Sequence, residues 1–381
     1  MSLSKITITE QEGSNRLLTT DDNKSGIVFY VSNNPLSGDS YQIYSLQEAE
    51  GYGITSDTLP VLNYHLSEFY RINDSGQLQI KLVEHTGGTH TFTEVKQLVS
   101  DCDGDLSQVG VFTTQNFSAS MVTALQGVMD DLKEEDIPLV SLLQANFSGQ
   151  TLQSLPDLSS NASNLVGVLI GQDGGGAGAQ LHSTLGYSIG VLGAALGAVA
   201  TSSVHESIAW KGAFDMSGAE LNTLAFANGT QYKLVTKSQL STINDKKYIF
   251  LLKDYGLNGS YFNSSSVATS EASDFYSIER NRVVNKSRKL LRTSLLPELN
   301  SPLYLDADGK LRIETVGKFT SKCEQALDGM RRNGELSNYK ITINPNQDVL
   351  SDDTLKIDVK LQPVGVARFI NITLGFAVSI A

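Results

Sequence analysis

The sequence contains few of the features that mark secreted, membrane or nucleic-acid-binding proteins. Its 381 residues include only two cysteines, Cys102 and Cys323, which are too far apart in sequence to indicate a disulfide framework. Acidic side chains outnumber basic ones by 41 to 29, and a net charge of −12 lacks the basic footprint of a nucleic-acid-binding protein. The first residues have no apolar stretch typical of a signal peptide. We therefore expect neither export nor nucleic-acid binding.

Long hydrophobic runs are also missing. The best candidate, residues 182–205, is rich in glycine, alanine and serine and contains few large side chains. A helix that crosses a bilayer needs about 20 predominantly apolar residues. We expect no direct membrane insertion.

The middle of the sequence predicts an α/β core domain over residues 26–278, in which residues 33–92 carry no clear pattern and stay unassigned. Near-continuous apolar strands that alternate with helices indicate a mostly parallel sheet covered on both faces. The strand-like segments are residues 26–32, 109–114, 137–143, 165–171 and 248–254.

A second domain, of the α+β class, is predicted over residues 279–365. Two amphipathic helices, at 277–299 and 316–334, are followed by three segments of alternating polar and apolar residues that are typical of strands. The change from alternating elements to helices followed by strands marks the domain boundary.

Two motifs suggest enzyme or nucleotide chemistry. The segment GYSIG at 186–190 matches the nucleophile elbow of hydrolases, but no acidic residue separates Ser188 from His205, so we reject this interpretation. Gly174 and Gly176, in the glycine-rich loop 171–179, match part of a dinucleotide-binding motif. That motif requires a second strand ending in an acidic residue about 20 residues later. The sequence lacks this strand, so nucleotide binding is the alternative rather than the leading hypothesis, and no cofactor or metal is expected.

Glycines recur through the segment GYSIGVLGAALGA. Gly186, Gly190, Gly193 and Gly197 have spacings of 4, 3 and 4, which predict a stripe on one face of a single helix. Because glycine weakens a helix, this stripe indicates close approach of the sheet or of another helix. We expect Trp210, the only tryptophan, to be a buried anchor between this helix and the sheet.

The two ends of the chain have the pattern of strands separated from a core. Residues 366–380 alternate without a break, and in extended form they would span roughly 50 Å, more than one small domain can bury. Such strands predict donation between subunits from segments 1–25 and 366–381. The side chains expected in these contacts are Ile6, Ile8, Ile370, Ile372, Leu374, Phe376 and Val378.

Several of these segments together resemble contractile tail sheath proteins of phages, bacteriocins and related contractile injection systems. The likeness covers about half of the chain and depends on the order and spacing of four stretches. These are GVLGAALGAVATSSVHESIAWKG, ERNRVVNKSRKLLRTSLLPELNSPLY, KCEQALDGMRRNGELSNYKITIN and LKIDVKLQPVGVARFINITLGF. The sequence departs from the family where the usual arginine–aspartate pair after the glycine/alanine helix is missing.

The resemblance implies a structural protein rather than an enzyme. Such subunits assemble in the bacterial cytoplasm as stacked six-fold rings around an inner tube protein, with baseplate and terminator proteins at the ends. They form part of a virion or injection particle, and contraction drives the tube through a target envelope. Donated N- and C-terminal strands link the subunits. The resemblance also implies that the first helix of the C-terminal domain lies near the inner tube.

The first helix of the C-terminal domain contains three cations at helical spacing. Arg282, Lys286 and Lys289 are expected to form one exposed ridge, because Val283 and Leu290 supply the inward face. We expect this ridge to contact the inner tube or an acidic surface of a neighbouring subunit. A solvated surface is the other interpretation that the pattern allows.

Two other functions remain open from sequence. An α/β enzyme or nucleotide-binding protein would use the loop 171–179 and bind ligand as a monomer. A surface-layer or adhesive protein would share the exchanged strands but would need an export signal.

Overall fold

A computed structural model describes residues 22–218 and 220–376. The predicted strand residues Ile6, Ile8 and Val378 lie outside the described residues.

The core is a seven-stranded sheet in the order β2-β3-β1-β4-β5-β6-β9. Every neighbouring pair is parallel except the edge strand β2 with β3, which confirms the predicted mostly parallel sheet. Consecutive residues of the buried strands face opposite sides of the sheet. These strands are β1 Ser25–Val31, β2 Ser40–Ile43, β3 Leu78–Glu84, β4 Gln108–Asn116, β5 Val140–Asn146, β6 Val166–Leu169 and β9 Tyr248–Ile249.

Helices cover both faces of this sheet. Ile27 and Phe29 pack with α2 and α6 on one face, whereas Val28 and Tyr30 pack with α3, α4 and α7 on the other. The helices of this part are α1 Leu46–Gly51, α2 Pro60–Ile72, α3 Glu94–Asp101, α4 Ala119–Glu134, α5 Ala177–Leu185, α6 Leu192–Thr201 and α7 Lys237–Asp245.

The unassigned residues 33–92 supply the edge strand β2, the helices α1 and α2, and the central strand β3. Helix α2 is buried on most sides because it packs against both α6 and the sheet. Two short antiparallel strand pairs lie beside the sheet. Their strands are β7 Gly171–Asp173 with β8 Leu224–Phe226, and β10 Leu251–Leu252 with β11 Tyr261–Phe262.

The prediction of one glycine-striped helix is wrong. Gly186 ends α5 and Gly190 lies in the connection to α6, with φ angles of 76° and 72° that favour glycine. Only Gly193 and Gly197 lie within α6. A β-carbon at Gly193 would overlap the carbonyl oxygen of His65 on α2, so the predicted close approach is made by a neighbouring helix.

The C-terminal part combines two long helices with a two-stranded antiparallel sheet. Val283, Leu290, Leu327, Met330 and Leu336 form one of its small apolar clusters. Residues 364–376 form no strand, although their sequence alternates, and none of the described strands pairs with them. The elements are α8 Ile278–Leu295, α9 Ile313–Arg332, β12 Leu336–Thr342, α10 Val349–Asp352 and β13 Asp358–Pro363.

Among the described residues, no helix is both long and apolar enough to cross a membrane.

Candidate assembly interface

The sheet β12–β13 is unusually small for the domain that it covers. Only two strands pair, and among the described residues each has a strand neighbour on one side alone. Tyr339, Val359 and Leu361 face the helices but are only half-buried. An isolated pair of strands is marginally stable in water, and a free edge is a template for a further strand.

An apolar groove lies between this sheet and α8. It has a volume of about 320 Å³ and is open to solvent along β13. Val284 and Leu291 line it from the helix, and Val359 and Leu361 line it from the strand, with Arg288 and Arg292 on the helix side. The groove can therefore accept apolar side chains.

The C-terminal arm, which we define as residues 364–376, exposes its apolar side chains. The exposed fraction of the side chain is 77% for Ile370 and Ile372 and 90% for Leu374, and Phe376 is fully exposed. Water contact of alternating large apolar groups is unfavourable by about 25 cal/mol per Å². The arm is thus an apolar segment without a buried site in its own subunit.

The base of this arm has a defined contact. The guanidinium of Arg368 lies 4.7 Å from the ring centre of Tyr276, and that of Arg280 lies 4.5 Å from the same centre. Cation–π contacts at exposed sites contribute about 0.5–1 kcal/mol each. They hold the start of the arm close to the N-terminal end of α8.

The prediction that Arg282, Lys286 and Lys289 form an exposed ridge is wrong. Arg282 is 4% exposed and donates from Nη1 to Oγ and the carbonyl oxygen of Ser202, at 2.8 and 3.2 Å. Burial lowers the pKa of Arg282 to about 10. Its guanidinium satisfies carbonyl groups at the end of α6, so it is part of the subunit interior.

The other two cations of this set also bind within the subunit. Lys286 forms ion pairs with Asp22 at 2.5 Å and with Glu335 at 2.7 Å. Lys289 donates to the carbonyl oxygen of Leu106 at 2.6 Å, and burial lowers its pKa. The three cations lie on one face of α8, as their spacing predicts, but this face is turned towards the α/β core.

Two arginines of α8 are more exposed than this set. Arg288 and Arg292 pair with Asp136 at 3.2 and 2.8 Å, and these hydrogen bonds lower the pKa of the aspartate. Their spacing of four residues is common on solvated helices, so by itself it does not mark a binding site.

The prediction of Trp210 as a buried anchor is also wrong. Its side chain is 54% exposed, and the neighbouring Lys211 pairs with Asp254 on the surface. The contact expected of Trp210, between this helix and the sheet, is made by Leu192 and Leu196 of α6, which lie against Gly110 of β4.

The glycine-rich loop 171–179 is closed by carboxylates of the chain itself. Asp173 Oδ1 accepts hydrogen bonds from the amides of Gly175 and Gly176 at 2.8 Å, and Oδ2 accepts from Gly178 at 2.9 Å. Glu220 accepts from the amide of Ala177. The amides that would bind a phosphate at the start of α5 are therefore occupied, which disfavours the nucleotide-binding alternative. The described residues include no cluster suited to a metal ion.

The fold is that of contractile sheath proteins. The helical sheath of the anti-feeding prophage in its contracted state is similar, with a TM-score of 0.66, 14% identity, and coverage of 98% of this chain and 99% of that chain. The contracted sheath complex of the PVC extracellular contractile injection system gives a TM-score of 0.63 at 12% identity, covering 99% of each chain. The sheath tail protein of Desulfitobacterium hafniense gives 0.55 at 10% identity, covering 95% of this chain and all of that one. The predicted resemblance is thus confirmed for the fold.

The sequence also matches two family models. Residues 3–266 match the family described as DUF2586, N-terminal domain, and residues 274–381 match DUF2586, C-terminal domain. Because the matches span most of its length, the chain belongs to the DUF2586 family. No curated protein sequence matches it.

Proposed function

We propose that this chain is the structural subunit of a contractile sheath. Subunits would polymerise as six-fold helical rings around an inner tube and contract to drive the tube through a target envelope. The observation that carries this proposal is the combination of an exposed apolar arm with an open apolar groove beside a two-stranded sheet. The shared fold of sheath proteins supports it.

The arm and the groove both present apolar side chains. An arm from a neighbouring subunit that pairs with a free strand edge would form about five backbone hydrogen bonds, at about 0.5–1.5 kcal/mol each. Burial of Ile370, Ile372 and Leu374 would add about 1.5–3 kcal/mol for each side chain. A link of this strength, repeated along the sheath, would hold subunits together while the rings move. We propose that residues 1–25 also donate a strand to a neighbouring subunit.

The energy of contraction would be stored in the extended assembly. The loop 171–179 is closed by Asp173 and Glu220, so it offers no nucleotide site to supply energy. Linked subunits that relax to a lower-energy packing would release that energy without a co-substrate.

The proposed partners are further copies of this chain, the inner tube protein, and baseplate and terminator proteins. Assembly would take place in the bacterial cytoplasm, and the product would be part of a virion or injection particle. Contact of Arg282, Lys286 and Lys289 with the tube or a neighbour stays a prediction. In the folded subunit these three cations already have partners, so such a contact would need the more exposed positions of α8 as well.

Substitutions on the two faces of the arm test the proposal. Ile370→Asp, Ile372→Asp and Leu374→Asp together should leave a folded subunit and abolish tubes in electron micrographs, because charged groups cannot enter the groove. The control is Asn371→Asp with Thr373→Asp on the opposite face, which should still form tubes. Tubes of normal length from the first variant would contradict the role of the arm.

A groove variant extends this experiment. Leu361→Asp should also prevent tubes, since it places a carboxylate in the groove. Mixed with the arm variant, it pairs one intact arm with one intact groove, and the expected product is a dimer detected by light scattering. A mixture that stays monomeric would argue against the pairing of arm and groove.

A further inference from the structure

A pair of histidines closes the carboxyl edge of the central sheet. His85 and His90 belong to the loop of residues 85–92, which connects β3 to α3 and which we call the histidine loop. Their ring centres are 4.0 Å apart. His90 is 3% exposed, although five of the eight residues of the histidine loop are exposed to solvent. The loop is therefore buried at two positions, His90 and the adjoining Phe92.

The contacts of His90 connect the loop to two strands. Its Nε2 lies 2.6 Å from the hydroxyl oxygen of Thr113 on β4, and its ring centre lies 4.2 Å from that of Tyr30 on β1. Phe92 stacks on the other side at 5.3 Å. In open α/β sheets the crevice at the carboxyl ends, where the strand order reverses, is the usual ligand position. Strands β1 and β4 flank this point, and the histidine loop fills it.

The contacts of His85 connect the loop to β4 as well. The side-chain amide nitrogen of Gln115 lies 2.6 Å from Nε2 of His85 and also donates to the carbonyl oxygen of Gly88. Nε2 of His85 itself lies 3.3 Å from the same carbonyl oxygen. His85, Gly88 and Gln115 therefore form one group of polar contacts between the loop and β4.

We propose that His90 forms an acid-sensitive latch. While its imidazole is neutral, His90 holds the histidine loop on the carboxyl ends of β1 and β4, and its protonation releases the loop. The proposal is independent of the proposed sheath function, because it concerns one subunit.

The charged groups around His90 agree with this direction. Burial, with the neighbouring His85, lowers the pKa of His90 to about 4, whereas Glu94 on α3 opposes the shift more weakly. Tyr30 donates to Glu94 at 2.8 Å, and burial raises its pKa, so the hydroxyl stays neutral. Thr113 and Gln115 carry no charge.

The size of the effect follows from linkage. In the open loop His90 would have its ordinary pKa of about 6.5, so opening takes up a proton below that pH. The ratio of open to closed loop should rise roughly 30-fold between pH 7.5 and pH 5.0, from these two pKa values.

Hydrogen exchange tests the latch. The amide of His85, which donates to the carbonyl oxygen of Val31 at 2.8 Å, should lose protection by about 30-fold at pH 5.0, after correction for intrinsic exchange rates. His90→Phe should abolish this pH dependence. The control His182→Gln alters a half-buried histidine of α5 and should behave as the wild type. Unchanged protection in the wild type, or equal loss in His90→Phe, would overturn the proposal.

An NMR titration of the imidazoles gives a second measurement that does not depend on the variants. The ring protons of His90 should titrate well below pH 6.5 in the folded protein. His85→Gln should move this titration upwards, because the neighbouring positive charge is removed. Titration of His90 at pH 6.5 or above in the wild type would overturn the latch.

Discussion

Arg282 and Arg288 lie on the same helix, but their side chains have different surroundings. Arg282 donates to Ser202 and Ser203 at the end of α6, in a site that water does not reach. Arg288 pairs with Asp136, where both side chains keep more than a third of their surface exposed. Breaking a buried ion pair or hydrogen-bonded charge costs far more stability than breaking a surface pair. Removal of the arginine should therefore lower the free energy of unfolding more at position 282 than at position 288.

Alanine substitution at these two arginines measures the difference. Arg282→Ala should lower the free energy of unfolding by about 3–5 kcal/mol, because the carbonyl groups of α6 and the carboxylates near Asp22 lose their buried donor. Arg288→Ala should cost less than about 1 kcal/mol. Denaturant titration of both variants provides the comparison. Equal losses of stability would contradict a buried, hydrogen-bonded role for Arg282.

At the scale of elements, the close contact of α6 with α2 explains why glycine occupies two positions of α6. Gly193 and Gly197 face the carbonyl oxygens of His65 and Phe69 across the two helices. Nothing lies within 4 Å of the position that a β-carbon would take at Gly127, on the exposed face of α4. Helix propensity favours alanine at all three positions, so the difference lies in packing alone.

The pair Gly193→Ala and Gly127→Ala separates packing from propensity. Gly193→Ala should lower the melting temperature, with a loss of about 1–3 kcal/mol from overpacking against α2. Gly127→Ala should raise stability by about 0.5–1 kcal/mol, because alanine is the better helix former. Calorimetry of the two variants checks both signs. Stabilisation by Gly193→Ala would mean that the helices can separate without cost.

For the whole molecule, buried histidines and paired carboxylates act in the same direction on acidification. Burial lowers the pKa of His65 to about 3, so its stabilising effect is present above about pH 6.5 and is lost as the pH falls towards 3. Hydrogen bonds to arginine lower the pKa of Asp136 and Asp328, and their contribution is lost as the pH falls through the carboxyl range. Protonation of His65, Asp136 and Asp328 therefore lowers the stability of the folded protein in every case.

The chain should therefore lose stability steadily below pH 6.5. Between pH 7 and pH 5, His65 alone should account for about 2 kcal/mol, given the difference between its ordinary and buried pKa. His65→Gln retains an acceptor for the amide of Gly193 but does not titrate, so its stability should fall less over this interval. Denaturant titrations at several pH values give both slopes, and parallel slopes would exclude His65 as a source.

Much of the fold could be predicted because it depends on local periodicity. The apolar segments at 109–114 and 137–143 became β4 and β5 of a mostly parallel sheet. The glycine stripe could not be predicted as a unit. Glycine is equally suited to a helix contact, as at Gly193, and to a left-handed turn, as at Gly186.

The sequence by itself determined several strands of the α/β core and the two long C-terminal helices, that the glycine-rich segment meets close neighbours, and that residues 370–376 alternate apolar side chains. These properties arise from residues two to four positions apart. Only the tertiary structure decided that Arg282 faces inwards, that Trp210 faces water and that His90 is buried beside Thr113. Each of these depends on groups far away in sequence that need a hydrogen-bond donor or a covering side chain, and the local pattern contains no record of them.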